Sequence, residues 1–331
     1  MTATLEDRLT VDLAPRNPRE LRLRNPVIAA SGCFGYGQEY AGTIDVQRLG
    51  AFASKGITPE RRPGNPMPRI VETPAGMLNA IGLQNPGIDG FIKKYPALWS
   101  TWDVPGIVNI SAERVEDYAM MAAKLDEQPG IAAIEVNVSC PNIARGGYCF
   151  GWDADMSAEV TRAVRAVTTL PVMVKLSPGA SDVVAVALAV EAAGADSISL
   201  INTLVGMSID VRGRRPVLAN QTGGLSGPAI KPIAVRMVYQ VAAAVRVPVV
   251  GMGGIMGLAD ALEFFLAGAS AVQIGTGIFV DPGLPIRLID ELGAWLEREG
   301  YASVAQIVGI ANEGFRQSDR QTVTGWELAG A

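Results

Sequence analysis

Eight short runs of apolar, largely β-branched residues recur along the chain, and amphipathic stretches separate most of them. The runs are Pro26–Ala30, Ala51–Lys55, Gly106–Ile110, Ala132–Val138, Val172–Leu176, Ser197–Ile201, Val247–Gly251 and Ala271–Ile274. Strands this uniformly apolar are buried on both faces, as in a parallel sheet covered by helices. The intervening segments predict helices over Glu39–Leu49, Arg114–Glu127, Ser157–Thr168, Ser181–Ala193, Ile230–Val245 and Leu258–Ala267, and Leu284–Glu299 closes the series. Ser181-Asp182 and Gly257 suit helix starts, and Gly194 and Gly268 suit helix ends. Eight alternating units in a chain of 331 residues favour an α/β fold of the (β/α)8 TIM-barrel type over an open doubly wound sheet. Leu9–Leu13 and Glu20–Leu23 predict a small N-terminal hairpin outside the ring. The connection between the second and third strands is long, rich in Gly and Pro and only partly helical, so it reads as inserted loops. One domain is expected over residues 1–310, followed by a polar tail, 311–331, with no assigned role.

The composition removes whole classes of chemistry. There is no histidine, which excludes a His general base, a Ser-His-Asp triad and every His-ligated metal. The three cysteines, Cys33, Cys140 and Cys149, include no CxxC pair and are too few for an ordinary iron–sulfur cluster. No metal site is expected. Acid–base or nucleophilic work falls to Cys, Lys, Asp, Glu, Ser or Tyr. The net charge is −5 with no Lys/Arg cluster, so neither nucleic acid nor an anionic membrane is an expected partner. The longest aliphatic run, Val183 to Val190, is far short of the roughly 20 residues that span a bilayer. Met1 to Arg24 has no apolar signal-like core, and a cytoplasmic location is expected.

In a barrel of this kind the active site lies at the C-terminal ends of the strands. Read in order, those ends are Ser31-Gly32, Lys55-Gly56, Asn109, Asn137 with Cys140, Lys175, Asn202-Thr203, Gly253-Gly254 and Gly275-Thr276. Each alone is ordinary turn chemistry; a polar group or glycine pair after all eight is not. The pairs after the seventh and eighth strands suit a phosphate, because glycine lets backbone N–H groups approach an anion closely. Lys175 lies inside an apolar strand, Val-Met-Val-Lys-Leu-Ser. It is suited to a Schiff base or to a fixed positive charge facing a ligand, with an ion pair to a buried acid such as Glu135 as the structural alternative. Lys55 is placed similarly. Cys140 is the best-placed base, since a thiol brought toward neutrality by cations can take a proton. The alternative for each cysteine, and more so for Cys33 and Cys149, is a small buried hydrophobe. Residues Cys140 to Asp155 read as a mobile lid carrying Gly146, Gly147, Gly151, Tyr148 and Phe150. A lyase barrel with Lys175 as the Schiff-base residue, and a non-catalytic phosphate-ligand subunit, remain open on these residues alone.

Four longer stretches carry a resemblance. They are Ala30-Ser31-Gly32-Cys33-Phe34-Gly35-Tyr36-Gly37, Gly76 to Gly87, Asn137-Val138-Ser139-Cys140-Pro141-Asn142, and Thr222 to Pro232. Together they resemble, over about Leu23 to Ile289, the class 1 dihydroorotate dehydrogenases, with a cysteine where the membrane-bound class 2 enzymes use serine. The Ser-Gly-Cys-Phe-Gly-Tyr-Gly form resembles the NAD-linked B type. Gly56 departs from the Ala or Ser expected after the lysine.

The resemblance implies oxidation of (S)-dihydroorotate to orotate in pyrimidine biosynthesis. Cys140 would remove the C5 proton while the C6 hydride passes to N5 of FMN. Lys55 and Lys175 would join it in the catalytic set, Lys175 balancing the charge of the reduced flavin. Ser31, Lys55, Gly56, Asn109, Asn137 and Lys175 would hold FMN, together with Ile201, Gly227, Gly253, Gly254, Gly275 and Thr276. Lys55, Asn79, Ala80, Ile81, Gly82, Leu83, Asn137, Asn202 and Thr203 would hold the substrate. FAD and a [2Fe–2S] cluster are expected on a partner electron-transfer subunit, within a heterotetramer built on a homodimer of barrels. The neighbouring alternatives are the fumarate-using class 1A activity and another FMN barrel acting on a reduced pyrimidine, of the dihydropyrimidine dehydrogenase type.

Overall fold

Eight parallel strands close into a barrel in simple chain order: β1 (Val27–Ala29), β2 (Ala51–Ala53), β3 (Gly106–Ile110), β4 (Ile131–Asn137), β5 (Val172–Lys175), β6 (Ser197–Leu200), β7 (Val249–Met252) and β8 (Ala271–Ile274). The computed structural model describes residues 5–139, 141–142 and 148–312. β1 to β3 and β5 to β8 are buried at every position, and the centre of β4 is too. This is the two-sided burial that the apolar runs require. Each strand lies within two residues of its expected limits; β7 starts at Val249 rather than Val247.

The outer helices follow the expected order: α1 (Val115–Asp126), α2 (Ala154–Arg165), α3 (Val183–Ala192), α4 (Lys231–Ala244), α5 (Leu258–Ala267) and α6 (Leu284–Arg298). Their starts are set by capping chemistry. Asp182 accepts from the amides of Val184 and Ala185 and so starts α3. Asp153 accepts from Met156 N, which starts α2 three residues before the expected Ser157. Among the described residues no helix is long and apolar enough to cross a membrane.

The expected helix over Glu39–Leu49 does not form. Its span is a series of turns with one 3₁₀ turn, Val46–Arg48. Gly35 and Gly37 have positive φ, and Asp45 spends its carboxylate on Gln47 N, so the segment caps repeatedly instead of propagating. The N-terminal hairpin is present in reduced form, with Val11–Asp12 pairing antiparallel to Arg22–Leu23.

A further element has no counterpart in the sequence reading. Ile70–Thr73, Gly76–Asn79, Leu204–Met207 and Thr222–Ser226 form a four-stranded antiparallel sheet. It joins the insertion after β2 to the insertion after β6. Thr222-Gly-Gly-Leu-Ser has little β propensity, yet its glycines are dictated by crowding. A Cβ on Gly223 would stand 2.7 Å from Asn79 O, and one on Gly224 would stand 2.1 Å from Thr203 Oγ1.

The far end of the expected lid, Cys140 to Asp155, does not fit that reading. Phe150 is fully buried and meets Tyr118 edge-on at 5.8 Å, and Gly151 N donates to Val138 O at 2.7 Å. Burial of the ring fixes that end of the loop, so Phe150 belongs to the core and does not cover a ligand. Cys140 and residues 143–147 lie outside the described residues, as does the tail beyond residue 312.

Trp99 ties the insertion after β2 to the barrel. Its ring stands edge-on to Phe52 of β2 at 4.8 Å and to Phe91 at 5.3 Å, and its Nε1 donates to Tyr36 O at 3.1 Å. Gly106 of β3 approaches so closely that a Cβ there would lie 2.5 Å from the indole. Trp99→Ala is expected to lower the unfolding free energy by about 3–5 kcal/mol, read by denaturant titration. A loss below 1 kcal/mol would mean the indole is not a structural anchor.

Candidate active site

A cavity of about 520 Å³ opens at the C-terminal ends of the strands. The barrel contributes Ser31, Lys55, Gly56, Asn109, Asn137 and Lys175 from its first five strand ends. Ile201, Asn202 and Thr203 follow β6, Gly253 and Gly254 follow β7, and Gly275 and Thr276 follow β8. The antiparallel sheet and its flanks add Gly227 and the run Asn79, Ala80, Ile81, Gly82 and Leu83. Every described residue that the resemblance placed in the catalytic, cofactor or substrate set therefore lines one cavity. Cys140 lies outside the described residues, one position beyond Ser139.

The floor is a buried polar cluster centred on Glu135 of β4. Asn109 Nδ2 donates to Glu135 Oε2 at 2.6 Å, while Ser199 Oγ and Gln273 Nε2 donate to Oε1 at 2.9 and 2.8 Å. Lys175 Nζ lies 3.8 Å from Oε2. The ion pair offered as the structural alternative for Lys175 is thus present, and Lys175 combines it with a place in the cavity lining. Asn109 Oδ1 and Gln273 Oε1 are buried with no hydrogen-bond partner among the described residues. They are two acceptors awaiting a donor in a cavity large enough to supply one.

Gln273 was missed in the sequence. Its signal was a polar residue inside the apolar run Ala-Val-Gln-Ile, the same signal that marked Lys175. Cys33 was expected in the core, but it lines the cavity. Burial pushes its thiol up to about 11, against the opposing pull of Lys175 and Lys55, so Cys33 stays protonated at neutral pH and is no base.

Lys55 has no ion pair among the described residues. Burial, and then the guanidinium of Arg69, pull its ammonium below the ordinary lysine value of 10.5; Cys33 and Glu39 pull the other way. Its ammonium faces a cavity with no carboxylate in the lining among the described residues. An anionic ligand would be attracted there. Glycine at 56 leaves this wall open, since a Cβ would stand 3.0 Å from Asn109 Oδ1 and 3.2 Å from Leu83 Cδ2.

The amides beyond β4 and β6 form a second cluster. Asn202 Nδ2 donates to Asn137 Oδ1 at 3.2 Å and to Ser139 Oγ at 2.9 Å, and Asn202 Oδ1 accepts from Thr203 N at 2.8 Å. Tyr118 Oη donates to Asn137 O at 2.8 Å. The chain is therefore held firmly up to Ser139.

On the opposite side, Gly253 and Gly254 have φ of 128° and 78°. A Cβ on Gly254 would lie 2.8 Å from Lys231 Cβ and 2.9 Å from Gly227 O, so the turn needs glycine for its own sake. Thr276 Oγ1 donates to Ser226 Oγ at 2.7 Å and ties the turn after β8 to the antiparallel sheet. The cavity thus has a polar, cationic side and a glycine-walled side. It suits a planar polar group at one end and a phosphate at the other.

The chain is similar over most of its length to known proteins. The family model for dihydroorotate dehydrogenase matches residues 16–296. The protein named dihydroorotate dehydrogenase B (NAD(+)), catalytic subunit, of Pelobacter propionicus is 54% identical over 301 residues, covering 91% of this chain and 97% of its own. Proteins of the same name from Geobacillus kaustophilus and Enterococcus faecalis are 52% and 50% identical. They cover 87% and 89% of this chain, and 92% and 95% of their own.

Proposed function

Because the chain belongs to the dihydroorotate dehydrogenase family, we propose that it oxidises (S)-dihydroorotate to orotate as the catalytic subunit of an NAD-linked, B-type enzyme of pyrimidine biosynthesis. The observation that carries the reading is the convergence of Lys55, Lys175 and the amides of Asn79, Asn109, Asn137 and Asn202 on one cavity. FMN is the proposed cofactor, and the residues present fit it. The unpaired acceptors Asn109 Oδ1 and Gln273 Oε1 suit the ring N–H and the side-chain hydroxyl donors of a flavin, and the glycine turns after β7 and β8 suit its phosphate. When bound, FMN supplies the redox chemistry by accepting the hydride that leaves C6 of dihydroorotate.

The remaining work belongs to the protein. Lys55 receives the substrate carboxylate; an uncharged reduced pyrimidine would leave that cation without a counter-charge. Asn79, Asn137 and Asn202, with residues Ala80 to Leu83 and Thr203, pair with and enclose the polar edge of the ring. Cys140 takes the C5 proton onto its sulfur. Its neighbour Ser139 is anchored by Asn202, and with no histidine in the chain the thiol is the natural base.

The relatives' name, catalytic subunit, supports a separate partner. We assign FAD and a [2Fe–2S] cluster to that subunit, with two barrels and two partners in the assembly. The purified chain is expected to be yellow and to bleach on adding dihydroorotate. NAD-linked turnover should appear only when the partner is added. Efficient NAD reduction by the chain alone would refute the division of labour, and fumarate-dependent turnover would move the protein to class 1A.

Cys140→Ala is expected to keep its flavin yet slow flavin reduction by dihydroorotate on the order of 10²–10⁴-fold in a stopped-flow trace. Cys33→Ala, at a thiol that burial keeps protonated, is the comparison and should not reproduce that loss. Near-normal reduction by Cys140→Ala would end the assignment.

Lys55 gives a signed pH dependence. Its lowered pKa means the ammonium is lost at a lower pH than the ordinary 10.5 of lysine. Orotate affinity should therefore be full at neutral pH and fall on the alkaline side before that value. Lys55→Met should bind weakly with a flat alkaline profile. An unsubstituted protein whose orotate affinity holds steady through pH 10.5 would remove Lys55 from the carboxylate site.

A further inference from the structure

Glu135 is 0% exposed at the centre of the barrel, yet it is surrounded by donors from four other strands. Asn109 lies on β3, Lys175 on β5, Ser199 on β6 and Gln273 on β8. A carboxylate only accepts hydrogen bonds. Both amides must therefore turn their NH₂ groups toward it, and this dictates where their oxygens lie. Asn109 Oδ1 sits beside Gly56 in the cavity wall, and Gln273 also lines the cavity. Both oxygens are buried and unpaired. A packing role would be fulfilled by satisfying every polar atom of the cluster. This cluster satisfies the carboxylate and leaves two acceptors over at the cavity.

We propose that Glu135 is a positioning residue for the cofactor: its carboxylate locks the Asn109 and Gln273 amides as a pair of acceptors facing the ligand, and it offsets part of the charge that Lys175 presents there. This rests on the reading of the cavity as an FMN site. Glu135 touches no reacting atom in this account and acts through Asn109, Gln273 and Lys175, three of the four side chains it holds.

The test uses Glu135→Gln and Gln273→Leu in the full chain, with FMN affinity, flavin midpoint potential and thermal stability as readouts. A glutamine at 135 offers one acceptor oxygen and one NH₂, so it cannot hold both amides in their present orientation. Glu135→Gln should bind oxidised FMN about tenfold more weakly. It should also raise the ratio of reduced to oxidised FMN affinity on the order of tenfold, a more positive potential, because Lys175 loses its counter-charge. Gln273→Leu removes one acceptor and keeps both charges. It should weaken FMN binding and leave the potential where it was. Loss of thermal stability with unchanged affinity and potential in both variants would mean a purely structural cluster and overturn the proposal. Should Glu135→Gln fail to fold, the affinity of Gln273→Leu decides, and an unchanged value again overturns it. If the unsubstituted chain takes up no FMN, the reading of the cavity fails first and the proposal falls with it.

Discussion

A single buried carboxylate organises the interior of this barrel. Glu135 rises from β4 and is met by side chains from β3, β5, β6 and β8, so one residue links five of the eight strands. Barrel interiors are normally filled by layers of branched apolar side chains. A charge placed there is tolerated only when its lone pairs are used and a cation lies near. The polar floor is therefore a shared arrangement, in which several donors and one cation divide a single carboxylate among them.

The roof depends on a different constraint, close backbone approach. The antiparallel sheet is built from two insertions far apart in sequence, and its glycines sit where another strand or loop leaves no room for a side chain. Gly76 is the extreme case, since a Cβ there would lie 2.0 Å from Ser226 O. The hydroxyl contact between Ser226 and Thr276 then links roof to barrel beside the glycine turns. Floor and roof together leave a slot with cations and amides on one side and bare backbone on the other. That asymmetry is what makes an elongated ligand, charged at one end, a better match than a compact one.

Much of this was legible in the sequence because burial and chemistry left separate marks. Two-sided burial of a parallel strand wrote the apolar runs, and each run ended in a polar residue or glycine where the cavity begins. What stayed hidden depended on contacts between distant segments. The sheet at Thr222–Ser226 reads as a loop, because its glycines answer Asn79 and Thr203, which no local pattern reveals. Glu39–Leu49 misled in the opposite direction: its apolar spacing suits a helix, but the Asp45 side chain competes for the backbone. Gln273 stays hidden because its partner, Glu135, is 138 residues away in sequence, and only the closed barrel brings the two together. Phe150 looked like part of a cover because aromatic residues near glycines suggest one, and only the position of Tyr118 shows that its ring belongs below.

Environment, not residue type, decides what a thiol can do in this site. Cys33 lies among cavity residues but is desolvated enough to remain a thiol, so proximity to Lys55 and Lys175 does not make it a base. Cys140 follows a segment whose foot is pinned three times over. Asn202 donates to Ser139 Oγ, Cys149 Sγ donates to Ser139 O at 3.0 Å, and Gly151 N closes the loop onto Val138 O. These contacts fix the described residues on both sides of the proposed base, and they fix Ser139 beside Asn202 and Asn137, which pair with the substrate in the same reading.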